Sequence, residues 1–282
     1  MRAEPKGKSM DSPIMPLLAQ ILEVQRLFRD KVIEELPLPA RKARINNYIL
    51  ECERILFSPR LFREIGVRLA TLLASHNPGT DFLPLISNLE DSILEALAVT
   101  VQDCLEPDLV LAMEIAVNEL RLQKLCPLDP QVLAGFFLAA LVPFYTAFAQ
   151  QQMLDLADWQ RGWCPVCGQY PVNGYNRPVD GRRILGCWMC ETEWTYSRMV
   201  CPVCSSSRQD GQLLLTLVGD CQRRIQVCDD CGYYLKITDC TQASAGCDLQ
   251  LENAATVFLD ILAQRKGYRP ASHPHIYDET VK

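Results

Sequence analysis

An α+β protein is predicted, with a helical N-terminal domain, two small zinc-ribbon-like β modules and a closing helix. Two features of the 282-residue chain carry this. Up to Asp158, apolar residues recur at three- and four-residue spacing in long aliphatic stretches, the signature of amphipathic helices. From Trp159 the composition changes to cysteine, proline, glycine and aromatics. Four Cys-x-x-Cys pairs then follow: Cys164/Cys167, Cys187/Cys190, Cys201/Cys204 and Cys228/Cys231.

The first helix is expected from Ser12 to Glu35, with Leu17, Leu18, Ile21, Leu22, Leu27, Phe28 and Val32 on one stripe. Residues 1–12 are polar and are expected to be disordered. Leu36-Pro37-Leu38-Pro39 breaks the first helix. A second is expected at Arg41–Leu56. Ser58-Pro59 is an N-cap with proline at the first helical position, opening a third helix to Ser75. Further helices are expected at Leu85–Leu97, Pro107–Leu122 and Pro130–Leu156, the last with Asp129 as N-cap. The run from Val132 to Ala149 contains no charge and approaches the length of a membrane span. Gly135, Pro143, Tyr145 and Thr146 interrupt it and no basic cluster flanks it, so a buried core helix is expected.

Strands are expected at 183–187, 193–200, 213–218, 223–228 and 233–238. Asn173-Gly174, Asp180-Gly181 and Gly219-Asp220 are read as turns. An amphipathic helix follows at Leu249–Arg265, then an irregular tail from Gly267. These readings divide the chain into a helical domain (1–158), two metal modules (159–198 and 199–247) and a C-terminal helix with tail (248–282).

Eight thiols in four pairs suit two tetrahedral four-thiolate sites, the chemistry of zinc or a single iron. The sequential assignment groups Cys164, Cys167, Cys187 and Cys190, then Cys201, Cys204, Cys228 and Cys231. A cross-braced pairing, first with third and second with fourth, fits the spacing too. Gly168 and Gly232 suit the tight turn after the second cysteine, whereas Glu191 and Ser205 are less suited. Cys52, Cys104, Cys126, Cys221, Cys240 and Cys247 are unpaired by spacing. His76, His273 and His275 have no metal-ligand spacing.

Charge and motifs narrow the function. The net charge is −6, and residues 159–240 carry nine Arg/Lys against eight Asp/Glu, so this is no basic nucleic-acid face. Phosphate-binding loops, dinucleotide fingerprints, nucleophile elbows and zincin helices do not occur. No catalytic residue is therefore expected. The start, MRAEPKGKSMDSPIMP, lacks an apolar run after its basic residues, so no secretory signal is expected. In a reducing cytosol its 14 cysteines favour metal over disulfides.

Particular residues carry a resemblance. Cys164-Pro165-Val166-Cys167-Gly168, the run Cys187 to Trp194, Arg198 with Cys201, and Cys228 to Lys236 resemble the formate dehydrogenase accessory family, FdhE. The Leu249–Gly267 helix and its exit through Tyr268 resemble that family's C-terminal end. The resemblance implies rubredoxin-like modules whose eight cysteines hold two iron ions, with zinc possible instead. It further implies a cytoplasmic maturation factor that binds the catalytic subunit of respiratory formate dehydrogenase before export. Two other uses fit the cysteines: a zinc-ribbon nucleic-acid or transcription accessory protein, and a rubredoxin-like iron electron carrier. Trp163, Tyr170, Trp188, Trp194, Tyr196, Tyr233 and Tyr234 suit either a client-binding face or the modules' own small cores.

Overall fold

The computed structural model describes residues 15–38, 42–43, 48–51, 53–77, 79, 81–103, 109–216, 220, 222–240 and 247–270. Residues 1–12, most of the tail with His273 and His275, and Cys52, Cys104 and Cys221 lie outside them. The fold mixes helix and sheet and falls into two compact units, Pro16–Leu154 and the chain from Asp155 onward.

The first unit is helical: α1 (Met15–Glu35), α2 (Pro59–His76), α3 (Leu83–Asn88), α4 (Asp91–Asp103), α5 (Leu109–Glu119) and α6 (Pro130–Gln150). The α2 start follows its sequence signal, with Ser58 Oγ accepting from Leu61 N at 3.3 Å. Asp129 caps α6 in the same way through Gln131 N at 2.8 Å. By length and composition α6 could cross a membrane, yet 78% of its apolar window is buried. Phe136 of α6 stacks on Phe82 at 4.2 Å, and Phe137 stacks on Phe62 of α2.

Three helical expectations need correction. The stretch 41–56 is not one helix. Lys42–Ala43 forms a short strand, β1, parallel to Met153–Leu154, β2, and Ile49–Glu51 is a single 3-10 turn. Partners distant in sequence take its backbone groups: Gln102 Oε1 accepts from Ile55 N at 2.9 Å. The 85–97 helix is two, because buried Leu89 turns extended (ψ 137°) between α3 and α4. Arg63 spans that break, donating to Ile86 O at 2.8 Å and to Asp91 at 2.6 Å. The Pro130–Leu156 helix stops at Gln150, before β2.

The second unit is built on a seven-stranded sheet. Its strands are β3 (Asn173–Asn176), β4 (Arg183–Gly186), β5 (Glu193–Tyr196), β6 (Gln212–Thr216), β7 (Arg223–Cys228), β8 (Tyr233–Asp239) and β9 (Arg269–Pro270). The order is β5-β4-β3-β8-β7-β6, with β9 also against β8. Two antiparallel meanders, β3-β4-β5 and β6-β7-β8, thus join through one parallel pairing, Asn173–Asn176 on Lys236–Asp239. The first half of β8 pairs with Arg269–Pro270, so the tail here is a strand rather than irregular.

Asn173-Gly174 is strand, not turn. Its glycine serves close approach: a Cβ on Gly174 would stand 2.5 Å from Ile184 O across the β3–β4 pair. The closing helix is also split, into α7 (Leu249–Ala255) and α8 (Val257–Arg265). Between them Thr256 is buried, and its Oγ1 bonds back to Glu252 O at 2.6 Å, competing with the helical ladder. Ile225, Val227 and Tyr234 of the sheet pack against Leu259 and Ala263 of α8. Cys240 and Cys247, unpaired by spacing, are joined by a disulfide with Cα atoms 6.2 Å apart.

Candidate metal centres

Each Cys-x-x-Cys pair forms the same turn. The amide four residues after the first cysteine donates to its carbonyl, in Gly168→Cys164, Glu191→Cys187, Ser205→Cys201 and Gly232→Cys228, at 2.8–3.1 Å. That fourth residue is left-handed every time, with φ of 77°, 58°, 59° and 71°. Glycine takes this conformation without cost, and Glu191 and Ser205 take it under steric protest. The turn aims both sulfurs of a pair to one side. Amides within it also point at sulfur, as in Val166 N to Cys164 Sγ at 3.4 Å and Cys190 N to Cys187 Sγ at 3.5 Å.

The meanders bring the pairs together in sequence order. Cys164, Cys167, Cys187 and Cys190 form one cluster, and Cys201, Cys204, Cys228 and Cys231 the other, each with its sulfurs within 4.8 Å of one another. The alternative cross-braced grouping is not the one adopted. In the first cluster Cys164–Cys190 and Cys167–Cys187 are both 3.4 Å apart and Cys167–Cys190 is 3.7 Å. In the second, Cys201–Cys231 and Cys204–Cys228 are each 3.7 Å. A tetrahedron with metal–sulfur bonds of about 2.3 Å has edges of about 3.8 Å. The sulfurs therefore converge on the size of a thiolate-bound ion, and both clusters could hold one.

The thiol chemistry agrees. Burial pushes Cys164 up, but hydrogen bonds from Cys167, Cys187 and Cys190 outweigh it and hold its thiolate well below the ordinary range. Burial and the Cys164 neighbour push Cys167 and Cys187 well above it. In the second cluster the hydrogen bond from Cys231 brings Cys201 down to about 5, while burial lifts Cys204 to about 12. The bond to Cys201, then burial, raises Cys231 strongly. Each cluster alone thus stabilises one thiolate and resists the next. A cation at the centre is what would let all four ionise.

The two clusters share a surrounding. Tyr170 and Tyr233 form a small core with Trp163, Val203 and Cys231. Gly162 lies so close to the third turn that a Cβ would stand 1.8 Å from Pro202 O. Of the aromatics in this region, Tyr170, Trp194, Tyr196, Tyr233 and Tyr234 are buried, and Trp163 and Trp188 are half-buried. They are core rather than an open face. Trp194 Nε1 donates to Arg161 O at 3.1 Å, tying the segment before the first cluster to β5. The repeated tetrapeptide Cys-Pro-Val-Cys, at 164–167 and again at 201–204, is a signal in the sequence that marks the two meanders as equivalent.

No family model matches the chain. Over 144 residues it is 29% identical to the FdhE homolog of Aquifex aeolicus, covering half of each chain. It is 35% identical over 123 residues to FdhE of Escherichia coli, covering 42% of this chain and 38% of that one. An FdhE homolog of Shewanella baltica is 35% identical over 113 residues, covering 39% and 36%. Over its cysteine-bearing half the chain is thus similar to proteins named FdhE. The match spans half or less of the length of these curated relatives. The crystal structure of the FdhE protein from Pseudomonas aeruginosa shares the fold, with a TM-score of 0.50 over 95% of this chain and 96% of that one, at 20% identity.

Proposed function

We propose that this chain, like the FdhE proteins it resembles, is an accessory factor for the assembly of active formate dehydrogenase. In this reading it acts in the cytoplasm and binds the enzyme's catalytic subunit before export, without catalysing a reaction of its own. The observation that carries the reading is the pair of closed four-sulfur clusters in a chain related to FdhE proteins. Cys164, Cys167, Cys187 and Cys190 would hold one ion, and Cys201, Cys204, Cys228 and Cys231 the second. Iron is the first candidate and zinc the alternative, since soft thiolates accept both.

A four-thiolate centre leaves no open coordination position for a substrate, so its contribution is to brace the turns, with one-electron cycling added if the ion is iron. The protein's own residues do the rest. The left-handed turns aim the sulfurs, the amides stabilise them, and the parallel β3–β8 pairing couples one centre to the other.

A strain lacking the gene tests the reading. The formate dehydrogenase catalytic subunit should still be made and should be inactive, with activity restored by the intact chain. Restoration should fail for a chain with Cys164→Ser and Cys201→Ser. Normal activity in the deletion strain, with no second copy of the gene, would overturn the reading.

A further inference from the structure

The two clusters differ in access. Cys164, Cys167, Cys187 and Cys190 are 0%, 8%, 0% and 2% exposed. In the second cluster Cys201 and Cys228 are buried, but Cys204 is exposed and Cys231 is half-buried. The first cluster has a cover. Leu249 at the start of α7 fills the space over Gly186, where a Cβ would stand 2.2 Å from its Cδ1. Gln250 Nε2 donates to the carbonyl of Cys187 at 3.0 Å, and Thr192 Oγ1 lies 3.1 Å from Cys190 Sγ.

At the second cluster a side-chain latch spans the two turns. Asp230, beside Cys231, accepts from Ser206 Oγ at 2.5 Å. Its other oxygen meets the Arg208 guanidinium at 2.6 Å. Ser206 and Arg208 belong to the segment leaving Cys204. The latch therefore holds the exposed Cys204 turn against the Cys231 turn from outside, through the Ser206 hydroxyl and the Arg208 guanidinium.

We propose that the second cluster is the exchange-competent metal centre, entered along its Cys204–Cys231 edge and governed by the Asp230 latch. The partner is a thiol-bearing acceptor or donor, small or protein-borne. In the exchange step an incoming thiolate sulfur bonds the ion as the Cys204 sulfur–ion bond breaks. Cys204 then takes the proton that the incoming thiol released, and no oxidation state changes. The first cluster, shut beneath α7, keeps its ion through this. The proposal rests on the reading that both clusters bind metal.

The full chain loaded with zinc tests both. Zinc transfer to a chromogenic pyridylazo chelator, in the presence of glutathione, should be biphasic, with half the metal leaving fast. Among the eight cluster cysteines, iodoacetamide labelling mapped by peptide mass spectrometry should modify Cys204 and Cys231 first. Asp230→Asn should speed the fast phase by about tenfold, as outer-shell partners do, and leave the slow phase alone. Ser206→Ala removes one of the same bonds from the other side and keeps the test available if Asp230→Asn does not fold. A single phase for both ions, first labelling at Cys164 or Cys187, or a shift of only the slow phase overturns the proposal. A chain that binds neither zinc nor iron instead overturns the metal reading on which it stands.

Discussion

Gln25 donates its side-chain amide to the carbonyl of Ala139 at 2.9 Å, across 114 residues of chain. That carbonyl lies four residues before Pro143, inside α6, where proline has no N–H to complete the helical bond. Gln25 is 6% exposed, a buried polar residue on an otherwise apolar stripe of α1. Its amide supplies the donor that Pro143 withholds. Gln25→Leu should destabilise the helical unit by about 1–3 kcal/mol, the cost of a buried carbonyl left without a donor. In a Pro143→Ala background the helix regains its own N–H, and the same change should cost much less. Denaturant unfolding of the four-member cycle measures the difference, and equal costs in both backgrounds would contradict the assignment.

That contact shows why part of the fold was legible in the sequence and part was not. Ser58, Asp129 and the apolar stripe of α2 act on neighbours within a turn, so local sequence reports them. Cys-x-x-Cys is equally local, which is why all eight sulfurs could be named. Which pair joins which is decided by the β3-β4-β5 and β6-β7-β8 meanders, and spacing alone fits both groupings. Gly174 looked like a turn because glycine permits one, whereas here it admits the Ile184 carbonyl. The breaks at Leu89 and Thr256 depend on burial, and the non-helical Lys42–Ala43 and Ile55 depend on β2 and Gln102. Those partners lie far away in the chain or on its folded surface, where periodicity carries no information.

Gly232 and Gly162 separate two uses of glycine around the second centre. Gly232 has φ +71°, and a Cβ there meets open space. Gly232→Ala should therefore fold and cost only the left-handed penalty, about 1–2 kcal/mol, read as a lower unfolding midpoint of the metal-loaded unit. Gly162→Ala faces the Pro202 carbonyl instead, with backbone on both sides and no flexible group to yield. Its effect should exceed that of Gly232→Ala, and proteolysis should show the cysteine-bearing unit opened while the helical unit stays intact. A Gly162→Ala chain as stable as the parent would contradict the close approach.

The Cys240–Cys247 disulfide closes the connection between β8 and α7. A loop this short restricts the unfolded chain by roughly 2.5 kcal/mol at room temperature in the chain-entropy account. Air-oxidised protein should protect both cysteines from alkylation, and reductant should expose them and lower the unfolding midpoint of this unit. Asp248 caps α7 next to Cys247, accepting from Gln250 N and Leu251 N at 3.2 Å each. The cap survives reduction, so helicity should persist while stability falls. Free, alkylatable Cys240 and Cys247 in the oxidised protein would dismiss the bond.

Lys236 is a buried ammonium in the middle of β8, with its side chain 4% exposed. Its Nζ donates to Asp260 at 2.7 Å and to the carbonyl of Asn253 at 2.9 Å, and Tyr234 donates to the other oxygen of Asp260 at 2.8 Å. Burial pushes the lysine below its ordinary range, against the pull of Asp260. The charge is thus held at a desolvation cost, and it ties α8 to the sheet beside the second centre. Lys236→Met removes the cation and leaves half-buried Asp260 with the Tyr234 hydroxyl but no cation, which should cost about 1–3 kcal/mol. Adding Asp260→Leu removes the stranded carboxylate, and a repacked apolar pair should recover most of that loss. Calorimetry on the two variants decides it: a double variant no more stable than Lys236→Met would mean that the ion pair contributes more than the mutual compensation of its two charges.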